Sequence, residues 1–210
     1  LSTFDVDNIP VEALMFQAGY LTIERQEMQG EDTLYRMRYP NREVRQSLHN
    51  SLLDALVQNR RARLDNRIKL YELLAANDLP AMQTLFTAFF DSIPTDWYRS
   101  NPIANYEGYY ASVFYSYFAA LGLDITVEDS SNKGRLDMAV RFQSCIYLFE
   151  FKVVELAPQG NALAQLKIKN YAAKYLAQYL DEGRSIYLIG VEFSKDARNI
   201  VGFDVETLTA

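Results

Sequence analysis

The chain has 210 residues, 49% of them hydrophobic, which suits one medium domain, or a domain with an appendage, built on a real core rather than a disordered chain. A single cysteine, Cys145, and a single histidine, His49, exclude an internal disulfide framework and a Cys- or His-based zinc site. The formal net charge of −6 argues against coating nucleic acid by bulk charge but leaves room for a local basic patch.

In chain order, residues 9–18 read as a short helix, and Tyr20–Glu24 with Thr33–Tyr39 as a hairpin around Gln29-Gly30-Glu31-Asp32. After Pro40 a helix capped at Asn41 carries Val44, Leu48, Leu52, Ala55 and Leu56 on one face and continues into Arg60-Arg61-Ala62-Arg63. Helix, hairpin and helix together suggest a winged-helix-like lid. Further helices are predicted at 67–76 and 78–92, split at Asn77-Asp78 with Pro80 in a first turn. Pro94–Pro102, with two prolines and no periodicity, is the expected domain boundary.

Beyond it a helix is predicted at 104–121, ended by Gly122, then strands near 123–128, 135–142 and 146–154. A helix at 160–181, ended by Gly183, leads to strands at 185–193 and 199–206. The runs 146–154 and 185–193 are apolar on both faces and should be central in a sheet covered by helices.

Chemistry concentrates in Gly134-Arg135-Leu136-Asp137 and Glu150-Phe151-Lys152. Side chains alternate along a strand, so Glu150 and Lys152 share a face, and a hairpin through Gln143-Ser144-Cys145 brings Asp137 close to Glu150. Two carboxylates at close range repel unless a cation lies between them, and a hard divalent ion with oxygen ligands fits. Glu107 precedes Ala111, Phe114 and Phe118 at helical spacing and reads as a third carboxylate, on the buried side of its helix. Charges inside Ile146–Val154 would be costly without partners, so even an exposed cross-strand pair must supply them.

Gln165 and Lys169, one turn apart, can reach over the same end of the sheet, whereas Lys167 and Lys174 read as a solvated face. Tyr171, Tyr175 and Tyr179 read as a core or edge stripe, and His49, Cys145 and Trp97 as packing residues. Seven basic residues against three acidic ones in segment 41–70, Arg60 and Arg61 among them, could grip a nucleic-acid backbone or form a solvated face.

The ordered set Glu107, Gly134-Arg135-x-Asp137, Glu150-x-Lys152 and Gln165 resembles the PD-(D/E)XK nuclease superfamily. With Ala18–Ile23 and Tyr187–Val191 it looks like the C-terminal region of bacterial proteins that join an AAA-ATPase-like domain to such a nuclease, over nearly the whole chain. The resemblance implies an α/β, restriction-endonuclease-like core with a central mixed sheet flanked by helices, at 96–210. A mainly helical, winged-helix-like region with a β-hairpin would precede it at 1–95. It further implies that Asp137 and Glu150 hold Mg2+ (or Mn2+), that Glu107 assists, and that Lys152 positions or activates the attacking water. Gln165 joins that site, while Arg135, Lys169, Arg60 and Arg61 are expected to contact nucleic acid, with DNA the expected form.

The chain has no Walker A loop and opens at Leu1 without methionine, so a fragment whose ATPase domain lies upstream is expected. With no run of about 18 apolar residues and no signal-peptide pattern, a cytoplasmic location and no membrane partner are expected. Two alternatives belong to other classes: an inactive nucleic-acid-binding or regulatory module of an AAA-type ATPase, and a purely structural interaction domain.

Overall fold

A computed structural model describes residues 10–56, 60–93, 107–131, 134–179 and 184–208. The expected boundary at Pro94–Pro102, with Trp97, and the helix end at Gly183 lie outside them. The chain forms two compact units, Leu1–Leu52 and Leu53–Ala210.

In the first unit, helix α1 (Val11–Gln17) precedes an antiparallel hairpin of β1 (Thr22–Gln29) and β2 (Asp32–Arg38). Gln29 pairs with Asp32 across a two-residue turn in which Gly30 has a φ of 65°, a conformation that glycine adopts without cost. β1 runs five residues beyond the predicted Glu24, because a ribbon exposed on both faces carries no apolar alternation to mark its length. Helix α2 (Arg42–Leu56) starts as predicted, the Val44 N–H donating to Asn41 Oδ1 at 2.8 Å.

The second unit begins at Leu53, near the end of α2, and contains α3 (Arg60–Ala76) and α4 (Leu79–Asp91). Arg60–Arg63 stand at the start of α3, and residues 57–59, across which α2 was expected to continue, lie outside the described residues. Asp78 caps α4, accepting from the Ala81 N–H at 3.0 Å, with Pro80 in the first turn. Helix α5 (Glu107–Ala120) follows, and Gly122, with a φ of 76°, ends it. Arg67 of α3 donates to the Ala120 carbonyl at 2.6 Å, satisfying an acceptor at the end of α5.

One five-stranded mixed sheet has the order β3 (Asp124–Ser131), β4 (Gly134–Phe142), β5 (Cys145–Val154), β6 (Ser185–Ser194), β7 (Asn199–Leu208). Neighbours are antiparallel except β5 and β6. The two strands predicted to be central, β5 and β6, each have a neighbour on both edges, as does β4. Phe142 pairs with Cys145, so Gln143-Ser144 alone make the turn, with Gln143 at a φ of 52°.

Period-two alternation divides the core. Tyr147, Phe149 and Phe151 of β5, with Ile189, Val191 and Phe193 of β6, pack with Phe86 and Phe90 of α4 and Phe114 and Phe118 of α5. Ile146, Leu148, Ile186 and Leu188 face the other way, onto Leu166, Tyr171 and Tyr175. The sheet flanked by helices is consistent with a restriction-endonuclease-like fold.

The helix predicted at 160–181 is two helices, α6 (Asn161–Ile168) and α7 (Ala173–Tyr179). Asn170, at a φ of 46°, breaks it; asparagine tolerates that left-handed conformation, and apolar periodicity alone does not reveal it. Tyr171 and Tyr175 are buried as expected of a core stripe, though in the turn and in α7 rather than on one helix. His49 and Cys145 are buried, in keeping with packing roles.

Candidate active site

The site forms where β4 and β5 part. Their cross-strand pairing runs from Phe142–Cys145 to Met138–Phe149. At the next residue the Phe151 N–H donates to Asp137 Oδ2 at 2.8 Å, so a carboxylate takes a backbone donor beside Glu150. Alternation along β5 puts Glu150 and Lys152 on the face that carries α6, away from Phe149 and Phe151.

Glu150 is only 1% exposed. Gln165 of α6 donates its side-chain N–H to Glu150 Oε1, while Oε2 is buried without a hydrogen-bond partner among the described residues. Burial, then the charge of Asp137, pushes the Glu150 carboxyl up to about 7 against the pull of Lys152 and Lys169. A buried carboxylate oxygen lacking a donor costs free energy in a protein without a cation, and it marks where positive charge fits.

Lys152 is half-buried, with Nζ 3.3 Å from Glu107 Oε2 and 3.5 Å from Glu150 Oε1. Burial alone would lower its pKa, but Glu107, Glu150 and Asp137 together outweigh it and hold the ammonium above its ordinary value. Lys152 is thereby fixed as a cation.

Glu107 departs from the predicted placement. Its side chain is 45% exposed although Tyr110, Phe114 and Phe118 on the same face are buried, because it lies in the first turn of α5 and helical side chains lean toward the N-terminus. It therefore reaches the site through Lys152. Among the described residues no three His, Cys, Asp or Glu side chains form a preformed metal cage. Asp137 and Glu150 are the pair that comes together, and one or two carboxylates completed by water suit magnesium.

Gln165 is placed by contact of α6 with β6. A Cβ at Gly190, which pairs with Glu150, would lie 2.8 Å from Leu163 Cα and closer still to its N, so only glycine lets the helix rest there. Lys169 ends α6 as its C-cap and lies over the Tyr171 ring at 5.7 Å, its charge acting on Glu150. Lys167 pairs with Glu206 at 2.6 Å, on a solvated face as expected. Arg135 lies on β4 two residues before Asp137, and Arg60 and Arg61 open α3; their side chains lie outside the described residues. Beside Asp137 and Glu107 a cleft of about 500 Å³ runs along Gly108, Ala111 and Tyr115 of α5 to Val127 of β3.

A half-exposed acid at a helix start, a buried carboxylate beside a partly buried one and a lysine two residues on all fall within one stretch of the chain. Residues 105–203 match the model of the PD-(D/E)XK nuclease superfamily. The matched stretch contains Glu107, Asp137, Glu150, Lys152 and Gln165. A curated relative, an uncharacterized protein in the vnfD 5' region of Azotobacter chroococcum mcd 1, is 59% identical over 208 residues. The aligned region is 99% of this chain and 40% of that relative, so the chain spans less than half of the relative's length. Among the described residues no helix is long and apolar enough to cross a membrane.

Of the residues under α6, Gly190 entered the sequence reading only within Tyr187–Val191 and without a role, and Glu192 belongs to no motif that sequence reasoning singled out. A carboxylate inside the apolar strand Ile186–Phe193 was the available signal, since such a charge requires partners.

Proposed function

We propose that this chain is a divalent-metal-dependent nuclease that hydrolyses phosphodiester bonds, with DNA as the expected substrate. The observation that carries the reading is Glu150: buried, adjacent to Asp137, with one oxygen held by Gln165 and the other without a donor. Asp137 and Glu150 would hold the ion, Mg2+ or Mn2+, and Glu107 would assist from the helix start. When bound, such an ion supplies charge against the phosphate and lowers the pKa of water.

The protein's own groups do the rest. Lys152, held as a cation by three carboxylates, places positive charge where negative charge grows on the phosphate and orients the attacking water. Gln165 fixes the Glu150 carboxylate, and the Phe151 N–H fixes that of Asp137. Lys169 adds a cation within electrostatic reach of Glu150, suited to a phosphate next to the scissile one, with Arg135, Arg60 and Arg61 as further backbone contacts. An upstream AAA-ATPase-like domain in the full-length protein is part of the same proposal.

Cleavage of single- and double-stranded DNA and of RNA, with Mg2+ or Mn2+, tests it. Asp137→Ala and Lys152→Ala should each lower kcat by roughly 10²–10³. Cleavage that survives both changes sinks the assignment, and binding without cleavage by the wild type favours an inactive module.

A further inference from the structure

Glu192 is fully buried on β6, in register with Lys152 of β5 and two residues from Gly190. Four consecutive backbone N–H groups converge on its carboxylate. Those of Gln159 and Gly160 donate to Oε2 at 2.5 and 3.1 Å, and those of Asn161 and Ala162 to Oε1 at 2.6 and 3.2 Å. The carboxylate thus fills the place of an anion at the α6 N-terminus, where free N–H groups and the helix dipole favour negative charge.

The surroundings are shaped around it. Gly202 of β7 pairs with Glu192, and a Cβ there would lie 3.1 Å from Pro158 Cβ and 3.3 Å from Glu192 Cβ. Gly190 lets the Leu163 backbone touch the strand. Four hydrogen bonds from below and a strand without a side chain fix both the height and the rotation of α6 over β5 and β6. α6 is eight residues long and Gln165 is its fifth, so a small rotation of the helix moves the Gln165 amide away from Glu150 Oε1.

We infer that Glu192 is a positioning residue of the proposed nuclease site: by anchoring the start of α6 it sets Gln165 against Glu150 and leaves the second Glu150 oxygen free for a cation. This rests on the nuclease reading for its purpose, but not for its geometry. Outer-shell groups that orient a ligating carboxylate typically change metal affinity about 10–100-fold when removed. A simple helix anchor would change stability and leave that affinity alone.

The test begins with the metal-free 210-residue chain. The Gln165 side-chain amide protons, followed by 15N-resolved NMR, should be protected from solvent exchange in the wild type. About tenfold of that protection should disappear in Glu192→Gln, which keeps the shape but sets an amide NH2, itself a donor, where one oxygen accepts from two backbone N–H groups. Glu206→Gln, which removes only the exposed partner of Lys167 on the same helix, should leave it intact. By calorimetry, Mn2+ affinity should fall about tenfold in Glu192→Gln and in Gln165→Ala, and no further in the double variant than in Gln165→Ala. Unchanged Gln165 protection in a folded Glu192→Gln, or fully additive losses of Mn2+ affinity, overturns the inference. If Glu192→Gln does not fold, Gly202→Ala displaces the same carboxylate by less; partial loss of Gln165 protection supports the inference and none overturns it. A wild type that binds no Mn2+ or cuts nothing refutes the nuclease reading, while the Gln165 signal still decides the role of Glu192.

Discussion

Glu150→Gln isolates the electrostatic strain of the site from its chemistry. A carboxyl whose pKa is higher in the folded chain than in the unfolded one favours folding while it is protonated. That contribution is complete below the ordinary value of 4.5 and is lost as pH rises through about 7. At about 1.4 kcal/mol per pH unit the window corresponds to about 3 kcal/mol. Solvent screening takes little from this figure because Glu150 is 1% exposed. Glutamine keeps the contact with Gln165 and never ionises. In metal-free buffer with chelator, wild type and variant should unfold alike near pH 4.5 and diverge as pH rises. The variant should be more stable by about 3 kcal/mol at pH 8, a difference on the order of 6–12 °C in Tm for a chain of this size. Mn2+ at a thousandfold excess over Kd should then reverse the order, adding about 4.1 kcal/mol to the wild type and little to the variant. Parallel pH–stability curves for the two proteins, measured by urea unfolding from pH 4.5 to 8.5, would refute the claim that a buried, repelled carboxylate sits at the centre of this site.

Two further substitutions probe the frame that holds it. Phe114 is fully buried, its ring stacked on Phe86 at 3.8 Å and within 5.1 Å of Phe151. Phe114→Ala should therefore cost about 3–5 kcal/mol in urea unfolding, and a cost below about 1 kcal/mol would mean that the helix layer does not depend on this packing. Gly190→Ala forces a methyl group into the backbone of Ala162 and Leu163. It should cost roughly 1–3 kcal/mol and also weaken Mn2+ binding in calorimetry, because α6 must lift with Gln165; unaltered Mn2+ affinity would separate the helix seat from the site.

The sheet was legible wherever burial imposed a pattern. Ile146–Val154 and Ser185–Phe193 are apolar on both faces because β5 and β6 have neighbours on both edges and helices on both sides, and a charge in such a run could only be a paired one. Glu150 and Lys152 were readable for that reason, and Asp137 through the hairpin that pairs β4 with β5. Glu107 was read correctly as a helix residue on the face of Tyr110, Phe114 and Phe118, but it is half-exposed, since helical spacing reports the face of a first-turn residue and not its depth. The break at Asn170 left no trace in apolar spacing, because Leu166 before it and Tyr171 and Tyr175 after it remain buried. Glu192 was the least legible, although it too is a charge in an apolar strand. Its four donors are main-chain N–H groups some thirty residues earlier, and every residue but proline carries such a donor. No side chain near 159–162 announces a carboxylate partner, so a sequence pattern exposes the need for a partner at Glu192 but not its identity. That asymmetry explains why side-chain pairs such as Lys152 with Glu150 are found by spacing, while the anchor beneath Gln165 required the fold.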